Sequence, residues 1–219
     1  MEEKYLKKIA ERGQLIVISG PNGVGKRTVL KAYLKDHANA VTATTATTRD
    51  PRKGETEGVE HFFLSELEFD RLVRTGQMLH YSFYQNRRYG TAKETVERER
   101  DKGHNVIVDV DVVGAMKIRA LCPDATLIFM LPPSWAELEE RLRERASCEE
   151  EVIQKYLEMA KEEIVCAGQY DYIIINDEVE KAVGRLAQII HGNRYSKTSM
   201  KSFLDSYIEG EIIPLTDYC

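Results

Sequence analysis

The sequence has few cysteines and no Cys-x-x-Cys spacing: Cys122, Cys148, Cys166 and Cys219 are its four. That argues against a disulfide framework or a Cys-rich zinc module, and predicts buried or free thiols in a reducing cytosol. Positive charge is not in excess either, since 31 Lys and Arg against 36 Asp and Glu leave a formal net charge of −5. A strongly basic nucleic-acid binder is not expected, although local basic clusters remain open. No apolar run approaches the roughly 20 residues a membrane-spanning helix needs. The opening Met1-Glu2-Glu3-Lys4-Tyr5 lacks the apolar centre of a secretory signal. There is no internal repeat and no low-complexity linker. The expectation is a cytoplasmic protein that meets neither membrane nor nucleic acid. Its 219 residues, 42% hydrophobic and 31% charged, suit one domain with small inserted lobes.

Apolar strand-like runs alternate with amphipathic helix-like runs. Strands are expected at 15–19, 41–46, 61–64, 78–84, 105–110, 126–130 and 172–175, and helices at 27–35, 66–75, 92–102, 112–121, 134–145, 149–167 and 178–190. Val106-Ile107-Val108, Leu127-Ile128-Phe129-Met130 and Ile173-Ile174-Ile175 are continuous and apolar, as in strands of a parallel sheet buried on both faces. Ser65 with Glu68, and Ser134 with Glu137, have the capping-box spacing of helix starts. The alternation predicts an α/β fold, with helices on both faces of a parallel sheet. The segment 41–91 is more polar and alternating, and reads as a small inserted lobe with one wet face. The region 134–168 is highly charged and helical. The tail 192–219 has no clear period and is expected outside the core.

The strongest motif is Gly20-Pro21-Asn22-Gly23-Val24-Gly25-Lys26-Arg27-Thr28, which follows the apolar run Leu15-Ile16-Val17-Ile18-Ser19. Its glycines let backbone N–H groups turn inward around an anion, and the following helix adds its positive end. Lys26 supplies a mobile ammonium for outer phosphates. The residue after that lysine, usually Ser or Thr, is Arg27, and the hydroxyl comes one place later at Thr28.

Four further clusters are each ambiguous alone. Thr44 to Arg52, with Arg49 and Arg52 three apart, suits a second phosphate or a solvated basic turn. Tyr89-Gly90-Thr91 stands by itself. Asp109 and Asp111 end an apolar strand, where a carboxylate orients Mg²⁺ through water or serves a structural end. Arg141 and Arg145, four apart, share a helix face that either closes over phosphoryl oxygens or forms surface ion pairs with nearby glutamates.

Taken in order, these clusters resemble the guanylate kinase family from about Gln14 to about His191. The match includes Thr47-Thr48-Arg49-x-Pro51-Arg52-x-Gly54-Glu55-x-x-Gly58, Pro132-Pro133-Ser134, and Tyr170-Asp171-Tyr172 through Asn176-Asp177. The resemblance implies a P-loop α/β/α core over 14–191, a mixed α/β acceptor lobe over 41–91, a helical lid over 134–168, and a C-terminal extension over 192–219. It implies ATP-dependent phosphorylation of a nucleoside monophosphate, GMP by default, with Mg²⁺, by a monomer or a homodimer. ATP is expected on Gly20 to Thr28 and Asn176, with Lys26 at its outer phosphates. Arg49, Arg52, Tyr89 and His61 would meet the acceptor's phosphate, and Thr45, His80, Thr91 and Asp111 its base. Thr28 and Asp109 would serve Mg²⁺, and Arg141 and Arg145 would clamp the transferred group.

Three positions depart from the family pattern. His61 stands where a phosphate-binding Tyr is usual. His80, nine residues before Tyr89, stands where a Glu reads guanine, and Tyr156 stands where a second lid Arg is usual. Guanine's edge presents two donors, N1–H and the 2-amino group. A carboxylate accepts both, whereas neutral imidazole accepts one and imidazolium none. Losing a charge-assisted hydrogen bond costs roughly 1.5–3 kcal/mol, or about 10- to 100-fold in selectivity. Two other readings follow: a kinase whose acceptor has drifted to another nucleotide or a sugar phosphate, and a non-catalytic guanylate-kinase-like binding module.

Overall fold

The computed structural model describes residues 12–84, 86–144, 150–201 and 204–205. Its elements run β1 (Leu15–Ser19), α1 (Lys26–Asp36), β2 (Ala40–Thr42), β3 (Thr45–Thr47), β4 (His61–Phe63), α2 (Glu66–Arg74), β5 (Met78–Tyr84), β6 (Arg87–Ala92), α3 (Lys93–Asp101), β7 (Asn105–Asp109), α4 (Val112–Leu121), β8 (Thr126–Leu131), α5 (Trp135–Glu144), α6 (Glu150–Val165), β9 (Tyr172–Ile175) and α7 (Val179–Asn193). A 3₁₀ turn at Cys166–Gln169 joins α6 to β9.

The apolar runs form a five-stranded sheet in the order β2-β7-β1-β8-β9, parallel at every pairing. Successive side chains on a strand point to opposite faces, so a run covered on both sides has to be apolar throughout. β9 departs from the expected burial on both faces, because it is the sheet's edge strand, with Ile174 buried but Ile173 and Ile175 about half exposed. Ile16 and Ile18 join Ile107, Ile128, Met130 and Ile174 against Val29 and Leu30 of α1 and Leu186 and Ile190 of α7. Leu15 and Val17 pack on the other face with Val106, Val108 and Leu127, against Ala115 and Ile118 of α4 and Val96 of α3. Each such side chain stabilises the fold by roughly 1.5–3 kcal/mol relative to exposure. The result is the expected three-layer α/β/α core. The chain leaves β1 toward β2 on one side and later returns through β8 and β9 on the other. This reversal opens a crevice at the carboxyl ends of the strands, where Gly20 and Asp109 sit.

A second, mixed sheet has the order β4-β3-β6-β5, with β3 parallel to β4 and β6 antiparallel to both β3 and β5. The strand expected at 41–46 is in fact two. Ala40–Thr42 pairs with β7 in the core, and Thr45–Thr47 crosses into the second sheet. β6 carries the Tyr-Gly-Thr motif and was absent from the expected strands. Its Arg87-Arg88 and Gly90 disguise it, and its hairpin partner supplies the apolar face instead. Asn86, with φ 59, makes the turn. Phe69 and Met78 bury the lobe's own small core with Ala46. Leu79 of β5 reaches into the main core beside Ala115 and so anchors the lobe.

The capping box at Ser65 forms as expected, with Glu68 answering the Ser65 backbone. The Ser134 hydroxyl accepts from the Glu137 N–H at 3.1 Å. The helix pair α5 and α6, expected as a lid, packs around Leu138, Leu142, Ile153, Leu157 and Ala160. The helix expected to reach 167 ends at Val165. The final helix runs past the expected 190 to Asn193, whose side-chain amide donates to Gln14 Oε1 at 2.8 Å and Thr126 Oγ1 at 2.6 Å. Residues 206–219 of the expected extension lie outside the described residues.

Candidate active site

The crevice is a cleft of about 1530 Å³ walled by the phosphate loop, the second sheet, the Asp109–Asp111 strand end and the lid helices. Its floor is the loop. Gly20 has φ +144, and a Cβ there would lie 2.3 Å from the Met130 carbonyl oxygen. Gly25 has φ +94, and a Cβ would lie 2.4 Å from Asn176 Nδ2. Only glycine allows both the turn and these approaches. The Asn176 amide donates to the Val24 carbonyl at 2.7 Å, and Val24 itself is buried, so the loop is pinned from below. Lys26 opens α1, whose first turn holds no acidic side chain, so its positive end faces the cleft uncompensated. The Lys26 ammonium donates to the loop's own Gly20 and Pro21 carbonyls.

Arg27 and Thr28 both line the cleft. The off-pattern arginine therefore faces the cleft, and together with Lys26 it opposes the upward shift of Asp109. That carboxylate opens onto the cleft while its walls strip bulk water from it, which raises its pKa above the usual carboxylate range. Thr28 and Asp109 are hard oxygen donors. Among the described residues no group of three or more His, Cys, Asp or Glu is arranged to hold a metal by itself. A hydroxyl and a carboxylate, with no protein cage, fit a Mg²⁺ ion that arrives on nucleotide phosphates and keeps its waters.

On the opposite wall, Glu55 grips Arg49 with two hydrogen bonds of 2.6 and 2.7 Å. Glu55 also accepts from the Arg52 N–H at 2.7 Å. These bonds, the Arg49 pair foremost, hold the Glu55 carboxyl down at about 2 and raise the Arg49 guanidinium. Arg49 lies 5.5 Å over the Phe63 ring, and its Nε is buried without a partner among the described residues. His61 hydrogen-bonds Thr45 Oγ1 through Nδ1 at 2.7 Å and meets Tyr89 edge-on at 5.8 Å.

His80 stands on β5 opposite Thr91. Its Nδ1 is buried without a partner among the described residues and packs on Gly114, where a Cβ would lie only 2.6 Å away. Burial lowers the His80 pKa, with Lys117 adding and Asp111 opposing, so the ring is held neutral. Asp111 spends Oδ1 on the Gly114 N–H at 2.6 Å, capping α4 and leaving Oδ2 uncommitted to that cap. Gly114→Ala tests this packing. The helix gains up to about 1 kcal/mol of propensity, yet the new methyl displaces the imidazole. Overpacking against the buried ring costs about 1–3 kcal/mol, so the expected result is a modestly lowered Tm with a raised KM for the acceptor, and an unchanged KM would remove His80 from the acceptor pocket.

Most of the expected residues do share this cleft: Gly20 to Gly23, Gly25 to Thr28, Arg49, Arg52, His61, His80, Tyr89, Asp109, Asp111, Arg141 and Asn176. Val24, Thr45 and Thr91 stand behind its wall. Val24 and Thr91 are buried, and Thr45 is committed to His61. Arg141 is tied down rather than reaching out: its guanidinium donates to Glu137, to the Asn176 carbonyl at 3.1 Å and to the Val24 carbonyl at 3.4 Å. Arg145 lies outside the described residues. Ser82, Glu144 and Glu163 also line the cleft and were not anticipated. Ser82 follows His80 by two on a strand and Glu163 follows Tyr156 by seven on a helix, so face-sharing periodicity was the available signal.

The chain is similar to known proteins in sequence and in fold. The guanylate kinase family model matches residues 12–193. A guanylate kinase of Halalkalibacterium halodurans is 44% identical over 180 residues, spanning 82% of this chain and 88% of its own. One from Streptococcus thermophilus is 43% identical over 188 residues, spanning 85% and 90%. The crystal structure of guanylate kinase from Anaplasma phagocytophilum superimposes with a TM-score of 0.65 at 27% identity, covering 94% of this chain and 98% of that one. With a family model matching residues 12–193 and relatives 44% and 43% identical over most of its length, the chain belongs to the guanylate kinase family.

Proposed function

We propose that this protein transfers the terminal phosphoryl group of ATP to GMP, giving GDP and ADP. The observation that carries this reading is one cleft with two cationic walls suited to phosphates: the loop with Lys26, and the Glu55-held Arg49 with Arg52. Little covalent work falls to the protein in such a transfer. The rate comes from alignment of two phosphates and neutralisation of developing charge. The loop N–H groups and the α1 terminus receive the donor's phosphates, and Lys26 leaves its resting carbonyls for their outer oxygens. Arg49, Arg52, His61 and Tyr89 hold the acceptor's phosphate. Arg141, bonded to the loop, neutralises charge on the transferred group from that fixed position. Thr28 and Asp109 would hold Mg²⁺, which when bound neutralises phosphate charge. All of these residues come from one chain, and the work is assigned to the cytosol, where ATP is supplied and thiols such as Cys122 and Cys166 stay free.

A specific observation favours a second reading, a kinase with a drifted acceptor. Neutral His80 presents only its Nε2 edge to the cleft, where two acceptor oxygens would suit guanine better. Purified protein with Mg-ATP, assayed against GMP, dGMP, AMP, CMP, UMP and ribose phosphates, separates the two. GMP turnover well above the rest is expected, and a different preferred acceptor replaces the first reading with the second. His80→Glu is expected to raise GMP preference over AMP by about 10- to 100-fold. An unchanged ratio would mean that His80 does not face the base.

A further inference from the structure

Glu163 has no part in the roles above. It lines the cleft from α6, yet its Oε2 is buried and has no hydrogen-bond partner among the described residues. A buried oxygen left unpaired costs roughly 1–3 kcal/mol, and such groups persist where a ligand or water completes them. Lys26 and Asp111 both act on this carboxyl: burial raises it, Lys26 opposes and Asp111 adds. The Tyr170 hydroxyl, fixed edge-on against Phe129 at 5.0 Å, is also buried and has Glu163, Asp111 and Ser19 for neighbours. The position is rigid, because α6 packs on α5, and Leu142 of α5 packs on Gly23 of the phosphate loop.

The chemistry of this corner selects its occupant. An anion is repelled by Glu163 and Asp111. A protein-held metal lacks its ligand set among the described residues. A neutral group rich in O–H donors fits both carboxylates. Lys26 marks the line of phosphoryl transfer, and Asp111 lies with His80 at the opposite end. Between the phosphate and the base of a nucleotide lies its sugar.

We propose that Glu163 reads the sugar of the acceptor nucleotide, its carboxylate accepting hydrogen bonds from ribose hydroxyls, and makes the enzyme selective for ribo- over deoxyribonucleotides. This rests on the nucleotide-kinase reading above. The test measures kcat/KM for GMP, dGMP and IMP, and calorimetric binding of GMP and dGMP, in the native chain and in Glu163→Ala and Glu163→Gln. The native enzyme is expected to favour GMP over dGMP by about tenfold or more, the size of one charge-assisted hydrogen bond. Glu163→Ala brings that ratio near one by losing GMP and sparing dGMP, and Glu163→Gln retains part of it. A native ratio near one overturns the proposal, as does an equal loss for both nucleotides, the mark of a structural role. A shift in the GMP-to-IMP ratio instead would assign Glu163 to the base. Absence of turnover sinks the kinase reading, and the binding ratio still judges Glu163: equal binding of GMP and dGMP overturns it. If the Ala variant does not fold, the Gln variant decides.

Discussion

Lys26→Met is expected to lower kcat by about 1000-fold, or about 4 kcal/mol of barrier, while ATP binding weakens far less. The substitution keeps the length of the side chain and removes its ammonium. The anion nest stays, because its curl depends on the backbone conformations of Gly20 and Gly25 and on the Asn176 bond to Val24, which do not require the ammonium. The uncompensated α1 terminus also stays. These groups bind ground state and transition state alike, so they govern affinity. The ammonium differs, because it rests on the Gly20 and Pro21 carbonyls and can follow charge as it moves to the outer oxygens. Steady-state kinetics with a calorimetric ATP titration check this. A kcat within about tenfold of the native value would show that Arg27 or Arg141 carries the transferring charge instead.

The sequence showed the core well, because burial on both faces leaves an unambiguous pattern. Ile16 and Leu15 face opposite helices, and every residue of β1 had to be buried. The second sheet was harder to read. β3, β4 and β6 are short and partly wet, and their pairing depends on the Asn86 turn and on contacts distant in sequence. The phosphate loop and the Arg49–Arg52 cluster were legible as chemistry, since their residue types are tied to local spacing. What joins them was not. That Arg27 faces the cleft, that Arg141 is bonded to the loop, and that Glu163 lies with Lys26 and Asp111 are all results of packing between elements distant in sequence, Arg141 and Val24 being 117 residues apart. His80 is intermediate. Its departure from the family pattern was visible in the chain, but its neutrality follows from Gly114, on a helix the sequence does not link to it.

Arg49→Met is expected to raise the acceptor's KM by about 100-fold and to lower kcat by a smaller factor, the cost of a charge-assisted fork to phosphate being roughly 1.5–3 kcal/mol. Arg49 is held before any ligand arrives. Glu55 binds its two terminal nitrogens, Phe63 supports its plane, and its buried Nε waits for an oxygen. Preorganisation of this kind lowers the ordering cost of binding. Glu55→Gln should therefore raise KM less than Arg49→Met does, because the guanidinium survives but loses its orientation. The same pair sets the pH response. The Glu55 carboxyl is held at about 2, below its ordinary value of 4.5. A carboxylate depressed on folding contributes above its ordinary value and is lost only as the pH falls toward the depressed one. The Arg49–Glu55 grip is accordingly intact throughout the working range, and the acceptor's KM should be flat in this respect from about pH 5 to about pH 8. In the Glu55→Gln variant the profile stays flat but at a higher KM. A KM that instead climbs between about pH 5 and pH 4 in the native enzyme would mean that Glu55 titrates normally and does not hold Arg49.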